Sequence, residues 1–255
     1  MRRVLQILFA ATVAFAIVFL LVLSLGRGWS YPQLLPAVLS LDNWRLIFSA
    51  DHFLFSTIVQ SLLISLSVAL LATSLAFVTS KTIAYSNNRN KWMLLAYIPY
   101  VLSPVILAAT LQFYFVYLGA SASVVGVMLA QFSIVFPFSV IILSNFWNEK
   151  IRSLEQLALT LGSTKAQVLR HVLIPVSKGA LLLCFIQAFL VSWFEFGLTN
   201  LIGVGSVQTL TIKVFSYVNE ANIYNAALAS CLLILPPMLL IWVNKRFVFS
   251  EEIAV

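Results

Sequence analysis

Residues 54–79 read LFSTIVQSLLISLSVALLATSLAFVT, a run without one Asp, Glu, Lys or Arg. As a helix rising 1.5 Å per residue it is about 39 Å long, more than the ~30 Å hydrocarbon core of a bilayer. Comparable runs cover about residues 4–25, 92–118, 124–146, 180–201 and 225–243. Inside a bilayer every backbone N–H and C=O must find a partner within the protein, so each run predicts a helix. A transmembrane barrel is excluded, because it needs alternating apolar and polar residues in segments of about ten. The expected fold class is all-α: a polytopic membrane protein with six transmembrane helices, forming one transmembrane domain over residues 1–255.

Composition agrees. Of 255 residues, 62% are hydrophobic and 9% charged, against about 25% charged in a soluble domain. Too few ionisable groups are present to cover a water-soluble surface, and too many apolar ones for a disordered chain. The first run follows Arg2 and Arg3. It is longer than the 7–15-residue core of a signal peptide and reads as a retained span.

The net charge is +7, and its placement orients the chain. With the N-terminus in the cytoplasm, Arg2, Arg3, Lys81, Arg89, Lys91, Lys150, Arg152, Lys165, Arg170, Lys178, Lys245 and Arg246 fall inside. Arg27, Arg45 and Lys213 fall outside. That asymmetry is the positive-inside pattern, and it accounts for the basic balance without a nucleic-acid partner. Six spans then put both termini in the cytoplasm. The outer loop at 26–53 carries Trp29, Tyr31, Pro36 and Trp44, aromatics suited to a membrane interface.

Catalytic chemistry finds little footing. Cys184 and Cys231 both lie in apolar runs and read as packing residues. His52 and His171 sit in different loops with no metal-ligand spacing. No G-x-x-x-x-G-K-[ST] loop is present, so the chain is not expected to bind ATP itself, nor to be an enzyme.

The longest inside loop, 147–179, reads WNEKIRSLEQLALTLGSTKAQVLRHVLIPVSKG. Ser153 with Gln156 forms a capping-box pattern, which predicts a helix start there. Leu154, Leu157, Ala158 and Leu161 give that helix an apolar face. Gly162 suits the left-handed residue that ends it. Thr164 with Gln167 forms a second capping box, and Val168, Val172 and Leu173 give the next helix its apolar side. Pro175 restricts how that helix continues. Two readings follow from chemistry alone. The pair either lies on lipid headgroups, with Lys165 and Arg170 facing phosphate, or protrudes as a rigid knob for a partner.

Within the runs, Glu195 is the acidic residue placed inside a span. Three roles are open to it: lining a solute path, a hydrogen bond to Gln187 or Ser192, or carrying a proton. Gln60, Gln131 and Gln187 are the further pathway candidates, because a glutamine is costly to expose to lipid. Pro99, Pro104 and Pro137 predict kinks in the third and fourth spans.

The segment Glu155-Gln-Leu-Ala158, then Leu161-Gly162, then Val172-Leu-Ile-Pro175 resembles the cytoplasmic signature loop of binding-protein-dependent (type I) ABC importer permeases. That loop reads Glu-Ala-Ala, three residues, Gly, nine residues, Ile-x-Leu-Pro. Gly162 and Pro175 match in register. Gln156 stands at the glutamate position, and Glu155 is one residue early. The segment Leu41-Asp-Asn-Trp-Arg-Leu-Ile-Phe48 is similar to one before the second span of such permeases. Trp193-Phe-Glu-Phe-Gly197, Gly203-Val-Gly205 and Thr209–Phe215 resemble the branch handling polyamines, ferric iron, thiamine and phosphonates. The resemblance implies a permease in a bacterial inner membrane with ATPase-coupling residues Glu155, Gln156, Leu157, Ala158, Leu161, Gly162 and Pro175. It implies a dimer of cytoplasmic ATP-binding subunits, which would hold ATP and Mg. A second permease subunit, identical or homologous, and an external solute-binding protein complete the implied assembly. The competing expectation is an ion-coupled secondary carrier centred on Glu195.

Overall fold

The computed structural model describes residues 2–27, 38–41, 44–45, 53–102 and 104–247. Trp29, Tyr31, Pro36, His52 and most of the Leu41–Phe48 segment lie outside the described residues. The protein is an all-α polytopic membrane protein. Among the described residues four helices are long and apolar enough to cross a membrane, and six if each of two bent pairs counts as one span.

The chain forms two compact units. The first comprises Met1–Ser61 and Gln208–Leu239. It holds α1 (Arg2–Ser24), whose apolar side chains are exposed on all sides: Leu5 is 60% exposed, Phe9 75% and Phe15 70%. Such a helix is stable only where lipid or protein covers it. A two-residue antiparallel pair follows, Gly26 opposite Leu39 and Arg27 opposite Val38, which no sequence pattern foretells. The unit also contains the start of α2 (Phe53–Ala84). There the Ser61 hydroxyl accepts from the Leu210 N–H at 2.7 Å, tying α2 to α10 (Leu210–Asn219). The small residues Ala226, Ala227 and Ala229 of α11 (Ile223–Phe247) are buried in this unit.

The second unit comprises Leu62–Val207 and Leu240–Val255. It carries the rest of α2, then α3 (Arg89–Val101), α4 (Pro104–Tyr117), α5 (Val124–Ser144), α6 (Glu149–Thr160), α7 (Lys165–Val176), α8 (Lys178–Trp193) and α9 (Gly197–Gly203). α2, α5 and α8 meet at Cys184, whose thiol lies 3.8 Å from the Ser139 carbonyl and 3.9 Å from the Thr73 hydroxyl. Cys184 and Cys231 are free and buried, as packing residues are. α3 is held to α5 by Tyr100, which donates to the Ile134 carbonyl at 2.7 Å.

Two sequence expectations are corrected. The run 92–118 is two helices, α3 and α4, that meet at 95°, a bend far sharper than a kink. Leu102 turns extended there (ψ 140°), and Pro104 opens α4, the position where its missing N–H costs nothing. Pro99 is carried inside α3, and α5 runs unbroken through Pro137. The run 180–201 ends its helix at Trp193, so Glu195 lies not within a helix but in the short break before α9. α8 instead pairs with α7, at a 75° bend.

Candidate functional site

The loop between α5 and α8 begins earlier in its helical course than the capping boxes predict. α6 starts at Glu149, with Asn148 as N-cap accepting from the Ile151 N–H at 3.1 Å. Ser153 is inside the helix and donates to the Glu149 carbonyl. The Asn148 side chain followed by Glu149 in the first turn outcompetes the Ser153 box, because it also lets Ile151 reach the core. The end is as expected. Gly162 has φ +86°, its N–H bonds the Leu159 carbonyl, and the Ser163 N–H bonds the Ala158 carbonyl. This pair of bonds is a Schellman ending. The second capping box is complete: Thr164 accepts from the Gln167 N–H, and the Gln167 side chain accepts from the Thr164 N–H at 2.8 Å.

Pro175 does not stop α7. Residues Leu169–Leu173 form a π-turn, and Ile174 keeps helical angles with its N–H on the Leu169 carbonyl. A wider turn of this kind takes up the carbonyl that a proline leaves unbonded. The helix turns only at Ser177, whose hydroxyl is buried against the Leu173 carbonyl at 2.7 Å.

The two helices have distinct faces. Ile151, Val168 and Leu173 are buried in one cluster with Phe77, Leu143 and Trp147, and Ala158 and Val172 pack against it. The outward face is apolar as well: Leu154 is 43% exposed, Leu157 58% and Leu161 78%. So Leu157, Leu161 and Gly162 stand outward, while Ala158 turns inward and serves the anchor. Gln156 and Pro175 are exposed. The elbow is thus rigid from behind and unburied in front.

Contacts not foreseen from the sequence hold this elbow to the end of α2. The Trp147 ring N–H donates to the Ser80 hydroxyl at 2.8 Å. Tyr85 donates to the Asn148 carbonyl at 3.2 Å, and the Arg152 guanidinium lies 5.3 Å from its ring centre. Burial, then the carboxylates of Glu155 and Glu149, push the Tyr85 hydroxyl above its ordinary pKa, partly countered by Arg152. Glu155 forms an ion pair with Lys81. Its being out of register with the motif was the one signal in the sequence that it serves another partner.

The remaining candidates separate. Gln60 is half-buried in the first unit and Gln187 is exposed on α8. Gln131 is 1% exposed and both ends of its amide are engaged. Its oxygen accepts from Ser192, and its nitrogen donates to Thr199 at 2.8 Å. Thr199 donates in turn to Glu195 at 2.7 Å. The same carboxylate accepts the Leu198 and Thr199 N–H groups at 2.6 and 2.9 Å. Glu195 therefore caps α9, where a negative charge meets the positive end of the helix. Thr199 and Ser192 complete a donor chain running from α8 through α5 to α9, each hydrogen bond aimed toward the carboxylate. Thr199 is absent from the sequence-derived candidates.

Comparison with known proteins gives three relatives. The chain is 27% identical over 163 residues to the trehalose transport system permease protein SugB of Mycobacterium tuberculosis, spanning 63% of this chain and 59% of that protein. It is 22% identical over 222 residues to the diacetylchitobiose uptake system permease protein DasC of Streptomyces coelicolor, 83% and 78% of the two chains. It is 20% identical over 227 residues to the inner membrane ABC transporter permease protein YcjP of Escherichia coli, 86% and 81% of the two chains. No family model matches. The relatives are named as transport permeases, and two carry sugars in their names rather than the polyamines, iron, thiamine or phosphonates of the resembled branch.

Proposed function

We propose that this chain is the permease subunit of an ATP-driven ABC importer, in a bacterial inner membrane with both termini in the cytoplasm. One observation carries the reading: the elbow at Gly162 presents Leu154, Leu157 and Leu161 outward, while its other face is locked into the core. An apolar face so exposed on a rigid two-helix element is a docking surface. A cytoplasmic ATPase dimer, holding ATP and Mg, would cover it and push on it. A second permease subunit, identical or homologous, would complete the path, and an external binding protein would deliver the solute.

The solute we propose is small, neutral and hydroxyl-rich. The helices long enough to cross the membrane contain no Asp or Glu. Glu195, which follows α8, is occupied as a cap. The uncharged Gln, Ser and Thr residues of these spans suit sugar hydroxyls, whereas a polyamine, ferric ion or thiamine would require negative charge. The names of two relatives, trehalose and diacetylchitobiose, favour the same class.

The test uses Leu157→Glu. The side chain is 58% exposed, so the fold should be within about 0.5 kcal/mol of the parent. The altered protein should insert normally, yet lose the ATP-binding subunit on purification and lose uptake. Unchanged uptake and unchanged co-purification would refute the docking role.

A further inference from the structure

The last turns of α2 and one side of α6 form a continuous seam. Ser80, Lys81 and Tyr85 meet Trp147, Asn148, Arg152 and Glu155. Positions 148, 152 and 155 are spaced four and three apart, so they share one face of α6. Leu154, Leu157 and Leu161 lie on the other side. The Lys81–Glu155 pair is the contact of this seam nearest the Gly162 elbow, at 2.5 Å with side chains 27% and 20% exposed. It borders a cleft of about 190 Å³ that Phe77, Leu173 and Lys165 also line. Lys81, Lys165 and Glu155 thus all line one cleft.

We propose that Lys81 and Glu155 are the positioning pair that fixes the rotation of α6 against α2, so that a push on the elbow moves α2 with it. The inference rests on the proposed docking function for its consequence, but not for its geometry. Hydrophobic contact alone does not hold a helix in one rotation, because it is non-directional. A charge pair between two elements, partly shielded from water, favours the rotations that keep the two groups in contact. The chain departs from the family motif at this place: the carboxylate sits at 155 and not at 156. From 156, which is exposed, a carboxylate would face away from α2. The substitution of one position converts a motif carboxylate into a tie within the chain.

The arrangement ranks the variants. Glu155→Gln leaves Lys81 and Lys165 facing the cleft with no carboxylate, so it is the more damaging change. Lys81→Met leaves Glu155 with Lys165 as the remaining cation lining the cleft and is milder. The exchange Lys81→Glu with Glu155→Lys restores one pair of opposite charges across the seam.

Two measurements on the full protein test this. The first is amide hydrogen exchange of the purified chain in lipid nanodiscs. Glu155→Gln should speed exchange across 149–160 by roughly two- to five-fold, the range open to a partly exposed pair, with α5 and α8 unchanged. Lys81→Met should give a smaller increase and the double exchange should restore the parent rate. The second is the number of solute molecules moved per ATP in the reconstituted assembly. That ratio should fall in Glu155→Gln while the ATPase subunit still co-purifies, and should recover in the double exchange. Unchanged exchange across 149–160 overturns the pair as a positioning element. Faster exchange with an unchanged ratio overturns its part in transmission. If the parent protein binds no ATPase, the proposed function has failed, and the exchange data alone decide whether the pair sets α6.

Discussion

Replacing Thr199 by Val tests the donor chain that ends on Glu195. The two side chains have nearly the same volume, so no cavity opens at this fully buried site. Two hydrogen bonds disappear. One is the bond from Thr199 to the Glu195 carboxylate at 2.7 Å, which as a bond to a charged group is worth about 1.5–3 kcal/mol. The other is accepted from the Gln131 amide at 2.8 Å. Its loss strands a buried N–H, at about 1–3 kcal/mol by soluble-protein measures. Between membrane helices such bonds average only about 0.6 kcal/mol, because the unpacked helices find other partners. The carboxylate also keeps its two backbone N–H donors. The smaller figure governs the Gln131 bond, which joins two helices, and the larger one governs the local cap. The expected loss is about 2–3 kcal/mol. Thr199→Ser keeps both bonds and removes one methyl, at about 1 kcal/mol. The assay is reversible unfolding of the purified protein in mixed micelles, with both variants beside the parent. A Val variant within about 0.5 kcal/mol of the parent would refute the reasoning, as would a Ser variant equally destabilised.

Other outcomes follow from the same geometry. Gly162→Ala meets no atom within 4 Å of the new Cβ, so its cost is the left-handed backbone alone, about 1 kcal/mol, measured by the same unfolding assay. Tyr85 has its pKa raised by burial and by Glu155 and Glu149. A hydroxyl whose folded pKa lies above its unfolded value gives stability that is whole below pH ~10 and is lost as pH rises through the folded value. The protection of α6 amides, taken relative to the base-catalysed rate of an unstructured amide, should therefore fall only above about pH 10, and Tyr85→Phe should remove that step. Trp147→Phe deletes the donor to Ser80 and should destabilise by about 1 kcal/mol, with no change at the Gly162 elbow.

The spans and the elbow were legible because each rests on a local rule. Long uncharged runs need only the length of the bilayer, and Gly162 with Thr164 and Gln167 needs only helix-end chemistry. Other features were not legible for physical reasons. The 95° break before Pro104 separates two segments that are equally apolar, so hydropathy cannot register it. The end of α8 at Trp193 depends on Glu195 folding back to cap α9, a choice between continuing one helix and starting another that tertiary contacts decide. The start of α6 was misread because two caps compete within six residues, and the winner, Asn148, is the one that buries Ile151. The Lys81–Glu155 pair joins positions 74 residues apart, a separation no local pattern spans. Gln131 was named as a pathway candidate because a glutamine is costly to leave in lipid; its partners Ser192 and Thr199, on other helices, emerge only from the fold.

The central claim is that motion of this protein is driven from outside the chain, through the elbow at Gly162. Uptake of a labelled disaccharide into liposomes tests it most directly, comparing this polypeptide alone with the assembly purified around it and supplied with ATP. The account predicts ATP-dependent uptake by the assembly, and none above lipid leakage by the lone chain under any proton or sodium gradient. Accumulation by the lone chain would contradict it.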